Sequence, residues 1–203
     1  MFRVDLRSDI YTYNRNLMIC IVSGPSCVGK STFLQDTQVY PITNLLSTDP
    51  VVFPYTISNQ TENQKDSCFI HYNTLRVADQ IFRNSDEKTG LQNNFTTDLS
   101  WGKISKFSTP TNVIVLVASR TVLENRMLSR QFIETKALTG FPPERYSAKH
   151  WIGVLNSLDL HAHYLSWCSE LRRVGKQYTL INSESEDYQI LKHDELRHLN
   201  LNK

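Results

Sequence analysis

Five short stretches rich in apolar and β-branched residues predict five strands. The first and fourth are unbroken apolar runs, which is typical of strands buried on both faces of a parallel sheet. The second contains Pro54, which lacks a backbone N–H and therefore favours an edge strand. The predicted strands are Leu17–Val22, Val51–Ile57, Cys68–Tyr72, Val113–Ala118 and Tyr178–Asn182.

Segments in which apolar residues recur at helical spacing separate these strands. We predict a helix after Lys30, one over about 74–83, one that opens at Thr121 and a long one over roughly 148–174. Thr121 and Glu124 have the spacing of a capping box, in which each side chain accepts from a backbone N–H at the helix start. One face of the long helix is expected to pack on the sheet. Its members are Leu158, Ala162, Leu165, Cys168 and Leu171.

Strands that alternate with helices favour an α/β fold with a mainly parallel sheet. We therefore predict a single doubly wound α/β domain over 1–203, with a mainly parallel five-stranded sheet. Three polar stretches, 58–67, 84–110 and 135–146, are predicted to be loops or excursions at the edge of that sheet.

Composition narrows the kind of protein. A length of 203 residues suits one domain, and a net charge of +2 excludes a histone-like nucleic-acid binder. No apolar run approaches the roughly 20 residues that cross a bilayer. The four cysteines are scattered with no C-x-x-C pair, so we expect reduced thiols and a cytoplasmic protein without membrane contact. The composition indicates no oligomeric state.

The strongest chemical signal lies directly after the first predicted strand. Residues 24–32 read Gly-Pro-Ser-Cys-Val-Gly-Lys-Ser-Thr, which matches G-x-x-x-x-G-K-[ST] between a strand and a helix. The glycines allow the backbone to wrap a triphosphate, whose oxygens meet successive N–H groups. The residues predicted to bind it are Gly24, Ser26, Cys27, Val28, Gly29, Lys30, Ser31 and Thr32.

Two residues of this loop have more specific expected roles. Lys30 should reach the β- and γ-phosphates and take part in catalysis, and the Ser31 hydroxyl should bind Mg²⁺. The motif therefore predicts a nucleoside triphosphate site, with ATP and Mg²⁺ as its ligands. The sequence contains neither a guanine-reading N/T-K-x-D motif nor a D-x-x-G motif, which argues against a switch GTPase. It also has no apolar strand that ends in a clear Walker B Asp, which most motor ATPases show.

Here the sequence resembles a known family, the guanylate-kinase-type members of the nucleoside and nucleotide kinase superfamily. Gly24-Pro25-Ser26 followed by Gly29-Lys30-Ser31-Thr32 looks like their P-loop. The second half of the chain is similar in order, with an apolar strand, a helix, a polar excursion, a long helix and a last strand. The resemblance implies a P-loop kinase fold with a helical lid over about 126–147, whose arginines hold the transferring phosphate.

Arg126 and Arg130 are the candidate lid arginines. They lie four positions apart and so share one helix face. Two guanidinium groups beside a triphosphate would neutralise the charge that develops during phosphoryl transfer, which would make both catalytic. The alternative interpretation is two solvated arginines on an exposed face.

The acceptor side is predicted in the segment around 49–73. Guanylate kinases bind the GMP phosphate there with arginines and tyrosines, yet 55–66 contains no arginine, which favours a hydroxyl acceptor on a small molecule. Asp49 is the candidate to orient or deprotonate that hydroxyl, unless it only forms an Asp-Pro turn. His71 and Asn73 are candidates for substrate binding at the end of the third strand. A core histidine and a helix N-cap are the alternatives for these two.

These features together predict a phosphotransferase that moves the γ-phosphoryl of ATP to a nucleoside, a nucleotide or a metabolite hydroxyl. One alternative is a non-catalytic ATP-binding sensor, which the missing Walker B Asp would allow. Another is a kinase that acts on a hydroxyl within DNA or RNA, which needs a basic track. The candidates for that track are Arg120, Arg126, Arg130, Arg145 and Lys149.

Overall fold

The computed structural model describes residues 18–36, 54–56, 67–84, 91, 94–106, 111–129, 147–185 and 187–202. The strands are β1 (Met18–Gly24), β2 (Pro54–Thr56), β3 (Ser67–Asn73), β4 (Thr111–Val117), β5 (Gln177–Asn182) and β6 (Gln189–Leu191). The helices are α1 (Lys30–Asp36), α2 (Arg76–Asn84), α3 (Leu99–Ile104), α4 (Arg120–Ser129), α5 (Ala148–Asn156), α6 (Leu160–Arg173) and α7 (His193–His198).

The strands form one six-stranded sheet in the order β2-β3-β1-β4-β5-β6. The four central strands are parallel, while β2 and β6 pair antiparallel at the two edges. The predicted α/β fold with a mainly parallel sheet is therefore confirmed, as is the edge position of the strand that contains Pro54. The predicted number of strands is wrong by one, because β6 has only three residues and too short a pattern to stand out.

Strand β1 lies at the centre of the sheet, between β3 and β4. The chain passes from β1 to β3 on one side and later returns to β4 on the other, so the strand order reverses beside β1. In open α/β sheets, ligands bind in the crevice at the carboxyl ends of the strands where this reversal occurs. The loop that follows β1 therefore occupies the position in this fold where a ligand is expected.

An aromatic cluster packs under the carboxyl end of β1. Ser23 and Tyr72 are paired in register on β1 and β3, and their side chains share one face of the sheet. On that face, Trp167 of α6 donates a hydrogen bond from Nε1 to Ser23 Oγ at 3.0 Å, and its ring stacks on Tyr72 at 5.0 Å. Trp101 packs against Trp167 with ring centroids 4.6 Å apart. Both tryptophans are buried, and the partly buried Trp151 packs on the core.

The long helix predicted over 148–174 is interrupted. The chain forms α5 and α6 instead, and the link between them contains Ser157 and Asp159. Asp159 caps α6 by accepting a hydrogen bond from Ala162 N at 3.0 Å. Helical spacing of apolar residues continues through the link, which is why the pattern predicted a single helix.

The predicted buried face of this helix is also partly wrong. Ala162 is exposed and Leu165 only partly buried, although Cys168 and Leu171 are buried. Large side chains shifted by a few positions fill the interface with the sheet instead. These are Leu160, His163, Tyr164 and Trp167.

Two local predictions also need correction. Helix α4 begins at Arg120, so Thr121 lies inside the helix and cannot be its N-cap. The stretch 84–110, predicted as an edge excursion, contains a 3-10 turn at Phe95–Thr97 and the helix α3. Its aromatic side chains Phe95 and Trp101 are buried, so the described part of this mostly polar stretch contributes to the core.

Within the described residues, no helix is both long enough and apolar enough to cross a membrane. The predicted excursions at 58–67 and 135–146 lie outside the described residues except for Ser67, which begins β3.

Candidate functional site

The segment from the last residue of β1 to the start of α1 contains three residues with a positive φ angle. They are Gly24 at +148°, Cys27 at +62° and Gly29 at +98°. A Cβ on Gly24 would lie 2.8 Å from the Leu116 carbonyl oxygen and 2.9 Å from Val28 Cγ1. Position 24 therefore needs glycine both for its backbone angle and for its space. Cys27 holds a left-handed conformation that costs free energy in a residue with a side chain.

The side chain of Lys30 folds back into this loop. It is only 5% exposed, and its Nζ donates hydrogen bonds to Gly24 O at 2.8 Å and Pro25 O at 2.5 Å. A buried ammonium needs such partners because its desolvation is otherwise costly. The loop thus encloses the positively charged ammonium group of Lys30, which is stabilised by two carbonyl oxygens. An anion would attract this group more strongly than the carbonyl oxygens do.

The carboxyl end of β3 is tied to the same loop. Asn73 donates from Nδ2 to Ser26 Oγ at 3.0 Å, and its Oδ1 accepts from Leu75 N at 3.1 Å. Thr74 N donates to Gly24 O at 3.1 Å. Asn73 therefore holds the loop and forms a local turn through Leu75. Because α2 begins only at Arg76, Asn73 is not its N-cap, and a role of Asn73 in substrate binding stays a prediction.

His71, the other candidate on β3, lies two positions before Asn73. Alternate residues of a strand point to one face, so both side chains lie on the same face of the sheet. His71 is partly buried and pairs in register with Val22 of β1. His71 therefore lies on the strand next to β1, beside the residues of β1 that lead into the loop.

Thr74 contacts a buried histidine, His163, that sequence reasoning did not select as a site residue. His163 of α6 is 3% exposed, and its Nε2 lies 2.9 Å from Thr74 Oγ1. Burial lowers the pKa of His163 to about 3, so the imidazole is neutral near pH 7. The only sequence signal for it was its position at helical spacing among the large buried residues of α6.

Arg126 lies beside the loop, and its guanidinium binds backbone carbonyls. Nη1 donates to Val28 O at 3.1 Å, while Nη2 donates to Ser183 O and, at 3.5 Å, to Glu184 O. A Cβ on Gly29 would lie 3.7 Å from Nη1. Arg126 is partly buried rather than solvated, and it joins the loop to the end of β5.

Ser183, directly after β5, makes a second link to the loop. It is 3% exposed, and its Oγ donates to Val28 O at 2.7 Å and lies 3.2 Å from Val117 O. Sequence reasoning missed this residue, because a lone serine after a late strand gives no signal. Ser183 reaches both the loop and β4 because β5 pairs with β4. This pairing brings the end of β5, the end of β4 and the loop together.

A cavity of about 300 Å³ opens at the carboxyl ends of β4 and β5. Glu184 accepts a hydrogen bond from Ser119 N on Oε1 at 2.7 Å, and its own N donates to Asn182 Oδ1 at 3.0 Å. The volume is at the lower end of small-molecule sites. The lining residues are Val117, Ala118, Ser119, Thr121, Asn182, Glu184, Leu199, Asn200 and Leu201.

Ser31, the predicted Mg²⁺ ligand, is the second residue of α1 and partly exposed, and Thr32 after it is exposed. A hydroxyl oxygen is a suitable ligand type for Mg²⁺, which keeps several waters and binds phosphate oxygens. In the part of the chain that the structure describes, no three His, Cys, Asp or Glu side chains form a group able to hold a metal.

Several predicted site residues lie outside the described residues. These include Asp49 and Arg130, together with most of the predicted lid; of the range 126–147, only Arg126–Ser129 and Ser147 are described. Of the predicted basic track, Arg120 binds the carbonyls of Leu155 and Leu158. Arg120 and Arg126 therefore both donate to the protein's own backbone.

Comparisons with protein-family models, with curated proteins and with solved structures found no match for this chain.

Proposed function

We propose that this protein is a P-loop phosphotransferase. It binds a nucleoside triphosphate with Mg²⁺ and moves the γ-phosphoryl to a small acceptor, such as a nucleoside, a nucleotide or a metabolite hydroxyl. The observation that carries the proposal is the position of Lys30, whose ammonium lies inside a glycine loop at the carboxyl end of the central strand.

The phosphate end of the donor fits this loop for electrostatic reasons. The ammonium of Lys30 and the guanidinium of Arg126 are both held at the loop by carbonyl oxygens. Phosphate oxygens carry full negative charge and make stronger, charge-assisted hydrogen bonds than carbonyls do. A triphosphate would therefore displace carbonyl contacts of Lys30, and the same positive charge would stabilise the transition state of transfer.

The acceptor would approach from the β3 side of the loop. Asn73 and His71 lie there on one face, and Asn73 is bonded to Ser26 of the loop. Phosphoryl transfer demands mainly positioning and charge stabilisation from the protein, so polar groups next to the γ-phosphate position are sufficient to orient a hydroxyl. Asp49 and Arg130 remain predicted partners of this step.

The test is single-turnover transfer from γ-labelled ATP and GTP with Mg²⁺ into a panel of nucleosides, nucleotides, sugars and short oligonucleotides. We expect label in one class of small acceptor, and its loss in Lys30→Ala. Lys106→Ala is the matched control, since Lys106 is exposed on the turn after α3. Circular dichroism of both variants establishes that they are folded.

The other outcomes are equally informative. Transfer of label to oligonucleotides alone would mean that the acceptor is a nucleic acid and not a small molecule. Nucleotide binding that depends on Lys30 without any transfer would indicate a sensor and overturn the proposed catalysis. Transfer that persists in Lys30→Ala would show that the loop around Lys30 does not take part in the reaction.

A further inference from the structure

We infer that helix α6 sets the position of the Lys30 ammonium through two buried side chains, His163 and Trp167. Both are therefore positioning residues for the reaction, and to that extent the inference rests on the proposed function. His163 acts through Thr74, and Trp167 acts through Ser23.

The two side chains of α6 make parallel contacts with two neighbouring strands. His163 and Trp167 are four positions apart and so share one face of the helix. His163 Nε2 lies 2.9 Å from Thr74 Oγ1, and Trp167 Nε1 donates to Ser23 Oγ at 3.0 Å. None of these four residues is more than 3% exposed. Buried hydrogen bonds fix the distance between the elements they join, because breaking one leaves polar groups desolvated.

Both contacts converge on Gly24. Ser23 directly precedes Gly24 in the chain, and Thr74 N donates to Gly24 O at 3.1 Å. The same carbonyl oxygen accepts from Lys30 Nζ at 2.8 Å. A displacement of Ser23 or Thr74 therefore moves the carbonyl that holds the ammonium group.

Helix α6 is itself held by contacts that do not involve the loop. At its start, Asp159 accepts from Ala162 N at 3.0 Å and so caps the first turn. Near its end, Glu170 Oε1 accepts from Trp101 Nε1 at 2.7 Å. The two residues that reach the strands lie between these attachments, so α6 is a fixed support for the end of β1.

The consequence for catalysis follows from the role proposed for Lys30. An ammonium group contributes most where negative charge develops in the transition state, and its contribution falls steeply when it is misplaced. Loss of a support should therefore lower kcat more than it raises KM.

The first test is amide hydrogen exchange of the full chain without ligand. Trp167→Phe removes the indole N–H, and Thr74→Val replaces the hydroxyl with a methyl group of similar size. In both variants the amides of 24–30 should exchange at least fivefold faster, measured relative to the amides of β4, which report opening of the central sheet.

Two matched controls separate support of the loop from a general loss of packing. Trp101→Phe removes the same indole N–H from the same aromatic cluster, but the partner that it loses is Glu170. Thr74→Ser keeps the hydroxyl beside His163. In both controls the relative exchange of the loop should stay within twofold of the wild type.

The second test is steady-state transfer from ATP to the acceptor that the single-turnover assay identifies. Trp167→Phe and Thr74→Val should lower kcat at least tenfold and change the KM for ATP less than threefold. Trp101→Phe and Thr74→Ser should keep both constants within threefold of the wild type.

Failure of this inference is distinct from failure of the proposed function. Loop exchange that rises only in step with β4, or transfer that depends on Lys30 but is unchanged in both variants, would overturn the inference and leave the phosphotransferase proposal standing. Transfer that is absent from the wild type would overturn the proposed function. Faster loop exchange in the two variants, but not in the controls, would then still show that α6 holds the loop.

Discussion

Gly24 occupies a position where the end of β1, the loop and β4 meet. Replacing it with alanine forces a side chain into contact with Leu116 O and Val28 Cγ1, at a φ of +148°. Strained backbone and overpacking each cost about 1–3 kcal/mol, so we expect Gly24→Ala to lower the free energy of unfolding by about 2–6 kcal/mol. Urea unfolding followed by circular dichroism measures the change.

Gly102→Ala is the matched control for this substitution. Gly102 lies in α3, and a Cβ there meets no atom within 4 Å. Alanine in a helix is favoured over glycine by about 0.5–1 kcal/mol, so this variant should be as stable as the wild type or more so. Equal stability of the two variants would contradict the packing described for Gly24.

The residues around the loop differ in how far sequence alone could identify them. Gly24, Gly29 and Lys30 follow from a local motif, because their roles need only the strand before them and the helix after them. Ser183 and Glu184 depend on the pairing of β5 with β4, and no local spacing encodes that pairing. Sequence reasoning therefore predicted the conformation-defining residues of the loop after β1 and missed the residues that line the cavity.

At the scale of elements, helices α2 and α5 pack closely at Gly153. A Cβ at this position would lie 3.0 Å from Cζ of Phe82 in α2. A methyl group requires a small shift of the Phe82 ring, and the gain in helix propensity offsets it. A leucine requires separation of the two helices, so we expect Gly153→Leu to lower the free energy of unfolding by about 1–3 kcal/mol.

A double-mutant cycle checks this contact. Phe82→Ala makes room opposite Gly153, so the cost of Gly153→Leu should be smaller in the Phe82→Ala background than in the wild type. If the two costs add without interaction, the two helices do not meet at this pair. Thermal or urea unfolding of the four proteins supplies the numbers.

The elements also show why the helices were harder to predict than the sheet. Unbroken apolar runs identified β1 and β4 because central parallel strands are buried on both faces. At the break between α5 and α6, Asp159 caps α6 locally, and Arg120 of α4 donates to the carbonyls of Leu155 and Leu158 in the link. That contact is long-range, so the local periodicity carried no sign of it.

Stability against pH is a property of the whole molecule, and His163 makes a defined contribution to it. Burial holds its pKa at about 3, below the value of about 6.5 in the unfolded chain. The unfolded state therefore binds more protons between these pH values, and stability falls as the pH decreases from about 6.5 toward 3. Each pH unit costs about 1.4 kcal/mol within that window.

The check compares wild type with His163→Gln, whose amide can still bond to Thr74 Oγ1 but does not titrate. The difference between the two free energies of unfolding should change by about 1.4 kcal/mol per unit between pH 6 and pH 4, in the direction that favours the variant at acid pH. Parallel pH profiles would show that the imidazole is not buried as described. His198→Gln, at an exposed position, reports the cost of the same exchange elsewhere.

The loop after β1 is held from three directions, through Thr74 on the β3 side, Arg126 on α4 and Ser183 after β5. Opening it requires all three attachments to break together with contacts at the centre of the sheet. Such a segment exchanges its amide hydrogens slowly, despite its glycines. A ligand that binds to this loop does not need to order it, because the loop is already held in place. The entropy lost on binding therefore comes mainly from the ligand and not from the protein backbone.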